Sequence, residues 1–143
     1  MSNEELINLA IEAREKAYAP YSHWKVGAAL LCENGKVYTG CNIENSAFTG
    51  TSCAERTAIF KAVSEGEMKF DKIAVIGGDE NAGVKDYCSP CGVCRQVMSE
   101  FCDPDKFKVI VAKSSNEYKE YTLRQLIPEV NFVSADEGYG YRG

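Results

Sequence analysis

The chain has 143 residues, 45% of them hydrophobic, which suits one domain with a sizeable buried core. Sixteen lysines and arginines against 21 aspartates and glutamates leave a formal net charge of −5 with no basic run. Polyanion binding therefore lacks its electrostatic footprint, and a small substrate is expected rather than a nucleic-acid polymer.

Residues 1–10 include Glu4 and Glu5 and no long apolar stretch, so neither a signal peptide nor a membrane span is expected, and the expected compartment is the cytoplasm. Ser2 with Glu5 makes a capping box, and Leu6, Ile7, Ala10, Ile11, Ala13, Ala17 and Tyr18 give a helical apolar stripe that Pro20 ends. Residues 26–32 and 36–41 read as strands around Asn34-Gly35, a dipeptide that predicts a two-residue hairpin turn between antiparallel neighbours. A polar connection over 42–51 leads into a helix that stops near Gly66, followed by a buried strand over 73–76 and a loop over 77–89. A second cysteine-bearing helix ends near Asp103-Pro104, and a strand over 107–112 follows. The link 114–117 to a last strand over 118–121 is long enough for an antiparallel hairpin and too short for a crossover helix. Thr122 to Gln125 starts a short final helix. The fold class expected is α/β, a three-layer α/β/α arrangement around a five-stranded mixed sheet. We expect a single domain over residues 1–134 and a loose glycine-containing tail over 135–143.

Seven cysteines, clustered rather than paired, favour a metal or catalytic role over a disulfide framework. Thr51-Ser52-Cys53-Ala54-Glu55-Arg56 opens one helix, with Ser52 read as its N-cap and Cys53 in its first turn. Ser89-Pro90-Cys91-Gly92-Val93-Cys94 opens the other, with Pro90 at the first helical position and two thiols on one face. Cys53, Cys91 and Cys94 can then converge on one ion. Three thiolates with an open fourth position describe a catalytic zinc, whereas Cys88 as a fourth ligand would close a structural site. Glu55 has two readings: a carboxylate placed to move protons beside the metal, or the glutamate of a Ser52-x-x-Glu55 capping box. Cys32, Cys41, Cys88 and Cys102 read as small apolar fillers or exposed thiols, and His23, the single histidine, as an ordinary loop residue.

Cys53-Ala54-Glu55 followed by Pro90-Cys91-x-x-Cys94 resembles the signature of the zinc deaminases. The likeness continues through Ala19-Pro20-Tyr21-Ser22, Val26-Gly27-Ala28-Ala29, Gly40-Cys41-Asn42-Ile43-Glu44-Asn45 and Arg95-Gln96, about residues 4–133 in all. It is similar to the three-cysteine, homotetrameric type within the cytidine/deoxycytidylate deaminase superfamily. That resemblance implies hydrolytic deamination of cytidine and deoxycytidine to the uridine forms plus ammonia, in pyrimidine salvage. It implies one Zn2+ per chain on Cys53, Cys91 and Cys94, with water as fourth ligand and Glu55 as the proton carrier. Ala54 would bind the base through its amide, Asn42 and Glu44 would hold the ribose, and Trp24, Phe48 and Phe132 would surround the nucleoside. Phe132 would do so from a neighbouring subunit. Arg56 would offset the charge of the thiolates. Taken without the resemblance, Asn42 reads as a loop cap, Glu44 as a solvated charge, Phe132 as a core plug and Arg56 as a surface charge. Trp24, Ser46 and Phe48 stand where similar enzymes usually carry phenylalanine, alanine and tyrosine. A blasticidin-type nucleoside antibiotic deaminase is the nearest alternative reading, and a non-catalytic zinc-stabilised module is the other.

Overall fold

A computed structural model describes residues 1–129. The elements run α1 (Asn3–Arg14), β1 (Trp24–Cys32), β2 (Val37–Cys41), α2 (Ala54–Ser64), β3 (Phe70–Asp79), α3 (Gly92–Phe101), β4 (Lys108–Ser114), β5 (Glu117–Thr122) and α4 (Leu123–Leu126). The five strands form one mixed sheet in the order β2-β1-β3-β4-β5, in which only β3 and β4 pair in parallel.

Alternation along the strands sorts side chains to two cores, as a period-2 backbone requires. Ala29, Leu31, Ala74, Ile76, Ile110 and Ala112 face Leu6, Ile7 and Ala10 of α1. Ala28, Leu30, Val75, Val109 and Val111 face the opposite way, under Ala58, Ile59 and Ala62 of α2, Met98 of α3 and Leu123 of α4. The sheet is thus covered on both faces, the three-layer arrangement expected from the sequence.

The topology decides where a site can form. β2 and β3 are both antiparallel to β1, so they run in one direction. α2 follows β2 and α3 follows β3, and both pack on the same face. Their N-termini therefore meet at one edge of the sheet, outside the carboxyl ends of the strands, where open α/β sheets place their ligands. Gly40 on β2 sets how closely α2 approaches: a Cβ there would lie 2.5 Å from both Ala54 O and Ala58 N. Backbone cannot yield as a side chain does, so Gly40→Ala should destabilise the protein by about 2–3 kcal/mol in denaturant unfolding. A change under about 0.5 kcal/mol would show that α2 is not held at this spacing.

Several local readings are corrected. α1 ends at Arg14, because the chain must leave it for Tyr18 to bridge Ile43, and Tyr18 is exposed rather than part of the stripe. The Asn34-Gly35 hairpin is not a two-residue loop. Gly35 N bonds Cys32 O at 3.0 Å and Cys32 N bonds Lys36 O at 2.9 Å, and Gly35 has φ +92° while Asn34 stays at negative φ. This is a three-residue turn with glycine in the left-handed position. β3 is longer than expected at both ends, and Gly77 and Gly78, read as loop, pair with Val26 and Lys25. The turn between β4 and β5 needs only Ser115 and Asn116. Thr122 caps α4 through a full capping box with Gln125.

The two edges of the sheet differ. At β2 the Lys61 ammonium bonds the outward-facing Thr39 carbonyl. At β5 tyrosines alternate with charge, Lys119 Nζ sitting 4.4 Å above the Tyr87 ring and the Tyr118 hydroxyl donating to Glu4 at 3.3 Å.

Candidate active site

The first cysteine-bearing helix begins one residue later than expected, at Ala54, and the second two residues later, at Gly92. Cys53 and Cys91 are themselves the N-cap residues, in extended conformation at φ −72° and −70°, and neither side chain caps its helix. Their thiols are left free to point at each other across the gap between α2 and α3. Ser52 is not the cap; its hydroxyl donates to Cys53 O at 3.2 Å. Pro90 precedes α3 rather than opening it.

Cys53 Sγ lies 3.7 Å from Cys91 Sγ, which lies 3.5 Å from Cys94 Sγ. All three sulfurs are within 4.8 Å of one another, the only such group of possible metal ligands among the described residues. Thiolates about 2.3 Å from a tetrahedral zinc sit about 3.8 Å apart, so these separations fit that ion. Cys88 stands outside the group. Its sulfur occupies the space above Gly77, where an added Cβ would come within 3.0 Å of it, and it accepts a hydrogen bond from the Trp24 indole. The closed four-thiol site is thereby ruled out for Cys88. Cys32 and Cys102 are core fillers, 1% and 2% exposed.

Charge at this edge is managed by three features. Helix N-termini offer positive dipole ends and unbonded amides to the sulfurs. Arg56, in the first turn of α2, donates to Cys53 Sγ at 3.3 Å and is not a surface charge. A hydrogen bond from the Cys94 thiol and the Arg56 guanidinium together hold the Cys53 thiol down, to about 5, while the same bond and burial push Cys94 up.

Glu55 is 3% exposed and makes no capping box with Ser52. Burial pushes its carboxyl up to about 7, and the neighbouring Cys53 sulfur adds to the rise. A carboxyl poised near neutral, two residues from one sulfur, is suited to both taking and giving a proton.

The polar connection 42–53 frames the rest. Asn42 is buried and ties β1 to β2, its Oδ1 accepting from Val26 N at 2.9 Å and its Nδ2 donating to Trp24 O at 2.7 Å. This is a strand clasp rather than a loop cap. Glu44 is also buried rather than solvated. Its Oε1 accepts from the amides of Tyr21 at 3.0 Å and Ser22 at 3.1 Å, and its Oε2 accepts from the Ser22 hydroxyl. Burial opposes its charge, but these donors outweigh it and hold the carboxyl below its ordinary range. Tyr21, Ser22, Glu44, Phe48 and Thr51 line an open cleft of about 430 Å3. Phe48 stands at its rim, 68% exposed, at φ +57°, with its ring edge-on to Tyr21 at 5.6 Å. Trp24 is exposed at the start of β1. Phe132 lies outside the described residues. His23 is the residue the sequence undervalued: it sits at φ +58°, bonded to Glu80. Only its neighbours Tyr21 and Ser22, which precede a strand, hinted at that placement.

The α/β/α domain thus brings three thiols able to hold one metal ion beside a buried carboxyl at paired helix starts. The family model described as the cytidine and deoxycytidylate deaminase zinc-binding region matches residues 1–111. Cytidine deaminases of Sporosarcina psychrophila and Halalkalibacterium halodurans are each 48% identical to this chain over 128 residues, covering 90% of it and 90% and 92% of theirs. A crystal structure of cytidine deaminase from Burkholderia pseudomallei superposes with a TM-score of 0.83 at 41% identity, covering 92% of this chain and 100% of that one. A blasticidin-S deaminase from Bacillus cereus is more distant, at 34% over 127 residues. The chain belongs to the cytidine and deoxycytidylate deaminase family. No described helix is long and apolar enough to cross a membrane.

Proposed function

We propose that this protein is a zinc-dependent hydrolase that converts cytidine and deoxycytidine to the uridine forms and ammonia. The observation that carries the reading is the convergence of Cys53, Cys91 and Cys94 beside the buried Glu55, in a chain of this family. Cys53, Cys91 and Cys94 would hold the zinc, which when bound would supply Lewis-acid activation of water at neutral pH. Arg56 offsets the negative charge of three thiolates through its bond to Cys53. Glu55 takes the first proton of the attacking water and delivers it to N3 of the cytosine ring, then takes the second from the hydroxyl now on C4 and passes it to the amino group, so that the C4–N bond breaks, the C4 carbonyl forms and ammonia leaves. Ala54 opens α2, so its amide has no acceptor within the helix and is available to the pyrimidine O2. Asn42 and Glu44 hold the ribose, and Trp24 flanks the base. In a homotetramer Phe48 and Phe132 would reach a neighbouring subunit's nucleoside, which accords with the exposure of the Phe48 ring on the cleft rim. A cytoplasmic location and a place in pyrimidine salvage complete the reading.

The test is substrate comparison by loss of the cytidine ultraviolet band. A polar site left unpaired by a truncated ligand rejects it strongly, so free cytosine should fall at least ~10²-fold below cytidine in kcat/KM. Cytidine monophosphate should also be poor, because Glu44 and a net charge of −5 oppose a phosphate. Comparable kcat/KM for all three would end the nucleoside assignment.

A further inference from the structure

The turn that follows β3 touches the segment leading into the cleft at His23, next to the cleft-lining Tyr21 and Ser22. Arg14 Nη2 donates to Gly78 O and to Asp79 O, both at 2.9 Å, fixing the end of β3 against α1. Asp79 then folds the next residues into a tight turn, its Oδ2 accepting from Asn81 N at 2.9 Å and Ala82 N at 2.8 Å. Glu80 projects from this anchored turn and grips His23 twice. Glu80 N donates to His23 O at 2.8 Å, and His23 Nδ1 lies 2.9 Å from Glu80 Oε1. A carboxylate oxygen only accepts, so Nδ1 carries the proton in this pair.

His23 needs such a grip. Its φ of +58° is a left-handed conformation that a side-chain-bearing residue adopts only when its surroundings impose it. That conformation reverses the chain between Ala19 and β1, with His23 N bonded to Ala19 O at 2.9 Å. The reversal is what aims the Tyr21 and Ser22 amides, and the Ser22 hydroxyl, at the Glu44 carboxylate. Ser22 Oγ also accepts from Trp24 N at 3.1 Å, so one hydroxyl connects Glu44 to the first residue of β1. The other described non-glycine residue at positive φ, Phe48, borders the same cleft. Strain is thus concentrated around Glu44.

We propose that Glu80, acting through His23, is a positioning residue for sugar recognition: it fixes the 20–23 turn whose donors set the place and orientation of Glu44. The proposal rests on the reading of Glu44 as a sugar contact. It makes the turn after β3 a support of the 20–23 turn, and through it of Glu44.

The test uses paired variants, each checked for zinc content and thermal midpoint. His23→Gly keeps the left-handed backbone without the ring, and Glu80→Ala removes the acceptor. Each should raise KM for cytidine about three- to fivefold, the range for a partly exposed ion pair, with kcat within twofold. Cytosine, which lacks the sugar, should keep its kcat/KM in both. His23→Asn tolerates positive φ and can donate to Glu80, so it should restore the parent KM, as should Glu80→Gln, which still accepts. The double variant His23→Gly/Glu80→Ala should be no worse than either single one. If cytidine KM is unchanged in both single variants while Glu44→Gln raises it, the clasp does not position Glu44 and the proposal is overturned. If Glu44→Gln itself leaves cytidine KM unchanged, the sugar reading of Glu44 fails and takes the proposal with it. Equal losses for cytidine and cytosine would mark a general structural role and overturn it as well.

Discussion

Glu55→Gln should lower kcat for cytidine by at least ~10²-fold, the usual contribution of a positioned general acid and base, and leave zinc content and thermal midpoint within error of the parent. Glutamine keeps the shape and hydrogen-bonding reach of the side chain but cannot carry a proton. The site accepts a neutral group at this position, because burial at 3% exposure already drives the carboxyl up to about 7. Burial already disfavours the charged form here, so a neutral isostere costs the fold little. The alternative role as a helix cap predicts the reverse pattern, stability lost and turnover retained, and the absence of a Ser52 to Glu55 side-chain bond already speaks against it. Glu55→Gln with near-native kcat would remove this carboxylate from the mechanism. The measurement needs only steady-state kinetics, metal analysis and a melting curve on one variant.

Cys94→Ser should abolish stoichiometric zinc and activity together, whereas Cys88→Ser should keep one zinc per chain and most of the turnover. Cys94 is fully buried between α2 and α3, and its sulfur is the fixed corner of the three-thiol group. A serine hydroxyl there is a poorer ligand than a thiolate for a borderline-soft ion. Metal bound only by the folded protein adds stability by mass action, about 4 kcal/mol at free zinc a thousandfold above Kd. The Cys94→Ser protein should forfeit a contribution of that order in zinc-containing buffer, and a chelator should bring the parent down to meet it. Cys88, in the space above Gly77 and bonded by the Trp24 indole, lies near the site but outside the group of three converging sulfurs. Zinc loss from Cys88→Ser equal to that from Cys94→Ser would contradict the arrangement of the site.

The order of the elements was legible from the sequence because apolar periodicity and short links restrict the arrangements a chain of this length can take. The 114–117 link forced the β4–β5 hairpin, and the strand count followed. What sequence reasoning missed was set by tertiary contact. Ser52 and Pro90 carry stronger local signals for a helix start than cysteine does, yet Cys53 and Cys91 are the caps, since convergence across the α2–α3 gap fixes where each helix begins. Gly77 and Gly78 read as loop for want of side chains, but the ladder with β1 needs only their backbone, and at Gly78 the close approach of the Gly83 carbonyl leaves no room for anything larger. Asn34-Gly35 signals a turn without fixing its length. At the site, the cysteines and Glu55 announced themselves by type and spacing. The buried state of Glu44 did not, because the donors that hold it come from residues 21 and 22, whose sequence reads as ordinary loop. His23 was hidden for the same reason: a positive φ is invisible unless glycine or asparagine marks it.

The two sheet edges carry a consequence for solubility. An unpaired strand edge invites pairing with the edge of another molecule, which is how β-rich chains come to aggregate. Here the Lys61 ammonium is already spent on the Thr39 carbonyl at one edge, and at the other Lys119 and Glu120 interrupt the tyrosines of β5. A second chain pairing with β2 at Thr39 would have to displace the Lys61 ammonium before it could bond that carbonyl. Addition of a sixth strand at β2 therefore has to compete with a charge-assisted bond already in place, which is one way a natural sheet blunts its edge.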